Sequence, residues 1–123
     1  YLHGGGFTLF SIDTHDRLMR EYAEAGGFVV IGVDYPLSPE HKYPVALDRI
    51  EALILWLKDH GADWGVDPAR LGMGGDSAGA NLSFATALRL RARPKFLQST
   101  IRRQQCRTRR RHWPIWSRRA WIP

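Results

Sequence analysis

The chain has 123 residues, 44% of them hydrophobic, and a formal net charge of +6. That length holds one modest domain, and no apolar run is long enough to cross a membrane as a helix. Cys106 is the one cysteine, which excludes an internal disulfide and is compatible with a reducing compartment, so a cytoplasmic location is expected. The net charge hides two regions of opposite character. Residues 1–88 hold 6 basic and 12 acidic side chains, whereas residues 89–123 hold 12 basic and none acidic.

In chain order, Leu2 reads as the end of a strand, followed by the glycine-rich loop His3-Gly4-Gly5-Gly6-Phe7. Consecutive glycines let a backbone approach a ligand with its amides turned inward. Ile12 to Ala25 predicts an amphipathic helix, with Leu18, Met19, Tyr22 and Ala25 on one face and Asp13 or Thr14 as N-cap. Gly26-Gly27 stops it. Asp13, His15 and Asp16 are metal-ligand types, but no partner cluster supports a metal site, and solvated residues at a helix start are expected instead.

Phe28-Val29-Val30-Ile31-Gly32-Val33 predicts a buried central strand, apolar throughout as parallel strands are. The stretch from Asp34 to Pro44 must be loop, because Pro36, Pro39 and Pro44 forbid regular pairing. Glu40 and His41 within it are expected to be scaffold. Val45 to His60 is the clearest helix, with Ile50, Leu53, Ile54 and Leu57 at helical spacing against Asp48, Arg49, Glu51, Lys58 and Asp59. Trp56 is expected at the core edge. Gly61 ends this helix, and Asp63 to Arg70 reads as a turn.

Leu71 to Gly74 predicts a short buried strand, and Ala78 to Arg93 a helix. Between them lies Gly75-Asp76-Ser77-Ala78-Gly79, in which the spacing Gly-x-Ser-x-Gly is that of a nucleophile elbow. Such a turn strains the serine backbone, needs small neighbours, and exposes the hydroxyl before the first amides of a helix. From about Pro94 the pattern changes. Residues 94–123 show no periodicity, three tryptophans (Trp113, Trp116, Trp121) and the run Arg109-Arg110-Arg111.

The elbow and the HGGG loop agree in order and in chemistry. With Asp34-Tyr35-Pro36-Leu37-Ser38-Pro39-Glu40-His41 between them, residues 1–91 resemble the hormone-sensitive-lipase-like branch of the α/β-hydrolases, a family of esterases and lipases. The resemblance implies the central part of a parallel sheet, three neighbouring strands with flanking helices, in a partial hydrolase domain over residues 1–93. It implies a serine carboxylesterase acting on small, short-chain esters through an acyl-enzyme, without cofactor or metal. Ser77 is then the nucleophile. The amides of Gly5, Gly6 and Ala78 are the oxyanion donors, with Gly4 beside them, and His3, Gly75, Asp76 and Gly79 brace the motifs. Ala80 stands where the family usually has glycine.

Family order places the remaining triad members after the serine, acid before histidine. No acidic residue follows Asp76, and His112 is the only later histidine. The triad is therefore incomplete in this order, and substitution by His15, His41 or His60 would abandon the family geometry. A fragment of an esterase, inactive alone, is the leading expectation. The competing expectations are an inactive hydrolase-like scaffold and a nucleic-acid-binding protein acting through its tail. No specific nucleic-acid contact is expected from the unpatterned tail, only non-specific phosphate contacts. The abrupt loss of acidic residues inside a helix leads us to expect that residues from about Pro94 are an out-of-frame translation, the alternative being a natural, disordered basic tail that binds anions.

Overall fold

A computed structural model describes residues 1–93; the expectations for residues 94–123 lie outside the described residues. Three α-helices are present, α1 (Asp16–Gly26), α2 (Val45–His60) and α3 (Ser77–Arg91), with 3-10 turns at Asp13–His15 and Gly61–Trp64.

The three expected strand segments lie side by side, but none is a regular strand among the described residues. Tyr1 and Leu2 run between the other two. The Tyr1 main-chain nitrogen donates to the Ile31 carbonyl at 2.7 Å, and the Val33 amide donates to the Tyr1 carbonyl at 3.0 Å. On the other side the Leu2 amide donates to the Gly74 carbonyl at 2.9 Å, and Leu2 pairs with Gly75 in a single parallel bridge. The central segment supplies only two residues before the glycine loop, so the pairing never extends into a ladder.

Consecutive residues of an extended chain point to opposite faces, and the layers follow from that. Val33 and Leu2 face α2 and α3, in a core of Leu2, Tyr35, Leu47, Ile50 and Leu82, with Leu37, Ala46 and Ala85 packed at its margin. Gly32 faces α1, where a side chain would run into Met19 and Ile12. Tyr1 likewise turns to that side, its ring 6.0 Å from those of His15 and Tyr22. Helices thus lie on both faces of the Tyr1–Leu2 and Ile31–Val33 segments. Each fully buried Leu or Ile contributes about 1.5–3 kcal/mol, so the α2–α3 face supplies most of the apolar stabilisation.

Several expectations need correction. Phe28 and Val29 are exposed and Val30 to Val33 only half-buried, because the outward edge of this segment has no backbone partner among the described residues. Leu71 to Gly74 is not buried either; it forms one wall of an open groove. α1 starts later than expected, and neither Asp13 nor Thr14 caps it. The Thr14 hydroxyl instead donates to the Ser11 carbonyl at 2.6 Å. Of its predicted apolar face only Met19 is buried.

α2 has the expected bounds, and Gly27 takes the left-handed conformation that ends α1. Glu51, expected outside, is buried. Its carboxylate takes Arg89 Nε at 3.0 Å and pairs with Arg93, while Arg89 also reaches Asp48 at 2.7 Å. These ion pairs clamp α2 to the C-terminal turn of α3. Trp56, partly exposed, lies 5.2 Å from His60 and 6.1 Å from Trp64, in an aromatic group at the far end of α2.

Candidate active site

The elbow begins where the chain leaves the Met73–Gly75 segment. Asp76 is extended, with φ −110° and ψ 150°, and Ser77 then switches to φ 45°, in the left-handed region that side chains rarely adopt. Strain of this kind costs about 1–3 kcal/mol and persists only where the surroundings enforce it. Here the enforcement is close packing. A Cβ on Gly75 or on Gly79 would overlap the carbonyl oxygen of Leu2, so the glycine on each side of Ser77 is the condition for Leu2 to pass. Ser77 itself is exposed.

α3 starts at the serine. The Asp76 carbonyl accepts the amides of Gly79 at 2.7 Å and Ala80 at 3.2 Å. The Ala78 amide donates to no protein group among the described residues, which leaves a polarised donor at the positive end of the helix.

The glycine loop stands across from this turn. Gly5 has φ 115° and Gly6 φ 62°, conformations open to glycine alone at little cost. The Gly5 carbonyl accepts the amides of Thr8 and Leu9 at 3.1 and 2.9 Å, closing a tight turn, and the Ser38 amide ties Phe7 to the proline-rich loop at 2.8 Å. Phe7 and Phe10 are held at φ 67° and 72°. The Gly5 and Gly6 amides have no protein acceptor among the described residues. Gly4 differs from them. Its amide donates to Asp76 Oδ1 at 2.9 Å.

His3 is buried beneath the loop. Its Nδ1 lies 2.6 Å from the Gly4 carbonyl, which can only accept, so Nδ1 carries the proton. The ring stacks on Tyr35 at 4.5 Å, and the Tyr35 hydroxyl donates to the His3 carbonyl at 2.6 Å. Burial, helped by the charge of Asp76, raises the Tyr35 pKa and keeps that hydroxyl a donor. Held in this way, His3 has its Nδ1 proton committed to the backbone of the loop.

Asp76 gathers three partners on one oxygen: the Gly4 amide, the Tyr1 hydroxyl at 2.7 Å and His15 Nε2 at 3.4 Å. Burial pushes its carboxyl pKa up, but the Tyr1 hydroxyl, the Gly4 amide and His15 together outweigh that and hold it below the usual range. Burial also pushes the Tyr1 phenol up, and its bond to Asp76 adds to this. Tyr1, His15 and Tyr35 were not legible as site residues from the motifs. One signal was present: Tyr1 lies two residues before His3, on the same side of an extended chain.

The remaining candidates scatter. Asp16 pairs with Arg20 within α1, and no group of three metal-ligating side chains exists among the described residues. His60 lies against Trp56, and the His41 amide closes a turn on the Leu37 carbonyl. No histidine hydrogen-bonds the Ser77 hydroxyl among the described residues. Beside the elbow, Leu71, Met73, Gly74, Phe84, Ala87 and Leu90 line a groove of about 490 Å³.

A family model described as alpha/beta hydrolase fold matches residues 1–106. The chain belongs to that hydrolase family. Acetyl esterase of Salmonella paratyphi B is 47% identical to this chain over 91 residues, 74% of the chain and 28% of the relative. Among solved structures, an esterase from Pyrobaculum calidifontis matches with a TM-score of 0.72 at 45% identity, covering 74% of this chain and 30% of that one. A thermostable carboxylesterase from a metagenomic library, EstE1, matches with a TM-score of 0.75 at 41% identity, covering 79% and 33%. The chain therefore spans under a third of the length of the curated relatives it matches. No helix among the described residues is long and apolar enough to cross a membrane.

Proposed function

We propose that residues 1–93 carry the nucleophile and the oxyanion donors of a serine carboxylesterase acting on small esters. The observation that carries this is the junction itself: a serine at positive φ, exposed on a helix N-terminus, opposite a loop whose Gly5 and Gly6 amides lack protein acceptors among the described residues. In the reaction, Ser77 Oγ bonds to the ester carbonyl carbon while a base takes its proton. Negative charge moves onto the carbonyl oxygen, where the amides of Gly5, Gly6 and Ala78 receive it. Collapse breaks the bond to the alcohol, which leaves with the proton, and water then releases the acid from the acyl-enzyme. Donors of this kind are worth about 2.7–4 kcal/mol each in the transition state.

The base and its orienting acid are not supplied in family order by this sequence, so we expect no Ser77-dependent turnover from the chain alone. Reactivity of the serine is separable from turnover, because at pH 9 hydroxide can take the proton that no base of this chain takes, and the oxyanion donors then set Ser77 apart from other serines. The full chain is treated with a fluorophosphonate at pH 9 and followed by intact mass and peptide mapping. A single adduct on Ser77, absent from Ser77→Ala, is expected. Equal labelling of the variant, or adducts spread over other serines, would overturn the assignment.

We place residues 94–123 outside the hydrolase unit, as an out-of-frame translation. Support comes from composition: acidic residues disappear while arginine and tryptophan rise together. The family match reaches residue 106, past this boundary. Nucleotide sequence around the Arg93 codon decides it. A one-base shift should restore an apolar strand, and its absence in every frame makes the tail genuine.

A further inference from the structure

Asp76 lies at the junction of elbow and glycine loop; the resemblance gives it a bracing role but names neither what its side chain holds nor what holds it. Its Oδ1 accepts the Gly4 amide at 2.9 Å and the Tyr1 hydroxyl at 2.7 Å, with His15 Nε2 at 3.4 Å. The other oxygen sits over Gly4 so closely that a Cβ there would collide with it. His15 is held in turn by the Thr14 hydroxyl at 2.9 Å from its Nδ1, and its ring stacks on His3 at 5.7 Å. Four chain segments thus meet at one carboxylate: the Tyr1–Leu2 segment, the loop, the start of α1 and the elbow.

We propose that Asp76 is a positioning residue for the ester-cleaving site, and that Tyr1 and His15 form a clasp that fixes its carboxylate. The proposal rests on the assignment of Ser77 and the glycine amides given above. Of the loop's first three glycine amides, only that of Gly4 is drawn away from the reacting centre, because Asp76 takes it. With the Gly4 amide anchored to the residue before the nucleophile, the next two amides keep their aim relative to Ser77. The carboxylate touches neither substrate nor reacting atoms; it sets the register of the two elements that do. Without this bond the loop would keep its own turn and the Ser38 amide on Phe7, neither of which reaches the elbow. Displacement by about 1 Å in such a site can cost a hundredfold in rate.

The test uses the full chain in two measurements. Hydrogen exchange with single-residue fragmentation reads the Gly4 amide, and fluorophosphonate labelling reads Ser77. Asp76→Ala should speed Gly4 exchange by at least tenfold and slow Ser77 labelling by roughly tenfold or more, with exchange in α2 unchanged. Asp76→Asn keeps a neutral acceptor and should restore most of both. Tyr1→Phe, which removes one hydroxyl and no packing, should give a smaller change of the same sign, about threefold, and serves if Asp76→Ala does not fold. Gly4 exchange that ignores Asp76→Ala and Tyr1→Phe alike would overturn the clasp whatever Ser77 does. A Ser77 that takes no label in the unaltered chain would instead overturn the esterase assignment. Protection of Gly4 that still depends on Asp76 would then support the clasp as an anchor alone.

Discussion

α3 has two sides that differ in how completely they are engaged. On the inner side Ala78, Gly79, Leu82 and Thr86 are buried against the Leu2 segment and α2. On the outer side Phe84 and Leu88 are 69% and 50% exposed, beside the open groove under Leu71 and Met73. The outward edge of Phe28–Val33 is similarly open. The closed seam is where Ser77 is aimed. The open faces are apolar surfaces of a kind that folded chains normally cover.

Glycine replacements should break this contrast most sharply. Gly79→Ala puts a methyl group into the Leu2 carbonyl, which is backbone and has little freedom to move. A loss of about 3 kcal/mol or more is expected, outweighing the helix-propensity gain of about 1 kcal/mol. Gly74→Ala, one short step away, meets nothing within 4 Å and should stay within about 0.5 kcal/mol. Denaturant titration of the two variants checks this, and similar losses would mean that the seam is not close-packed.

The open side should govern association. Phe84→Asp places a charge on the exposed face and should shift the chain toward monomer in size-exclusion chromatography. Its stability cost should stay within about 0.5 kcal/mol. An unaltered chain that already runs as a monodisperse monomer with a sharp melt would remove the case for an uncovered face.

The smallest effect concerns pH. Asp76 is held below the ordinary carboxylate range, so its bonds should persist wherever it is ionised. A depressed folded pKa adds stability that is fully present above the unfolded value, about 3.9. That contribution is lost as pH falls through the lower folded value. Protection of the Gly4 amide should therefore be flat from pH 7 to about 5 and fall only below about 4. Half-exposure of the Asp76 side chain keeps the effect modest. Loss of protection already near pH 6 would mean that the Asp76 carboxylate does not control it.

The sequence made the helices legible because their signals are local. α2 follows its Ile50–Leu57 spacing, and α1 stops at a glycine free to take positive φ. The elbow was legible for the same reason, since Gly75, Ser77 and Gly79 state the sterics of one turn. Strand burial was not, because it depends on neighbours distant in sequence: Phe28 carries a central-strand composition yet lies exposed. Glu51 was misplaced because its arginine partners sit some forty residues away. Tyr1 and His15 escaped notice because only the folded chain brings them to Asp76.

The central claim is that this chain holds the nucleophile half of an ester hydrolase. It is tested by grafting residues 1–91 into the matching stretch of the Salmonella paratyphi B acetyl esterase, to which they are 47% identical. The relative supplies everything outside the 28% of its length that the chain matches, and p-nitrophenyl acetate hydrolysis is measured beside the chain alone. The chimera should turn over the ester and lose roughly 10⁴-fold or more with Ser77→Ala. The chain alone should show no difference between its unaltered form and Ser77→Ala. A folded chimera whose rate ignores Ser77→Ala would contradict the account, as would Ser77-dependent turnover by the chain alone.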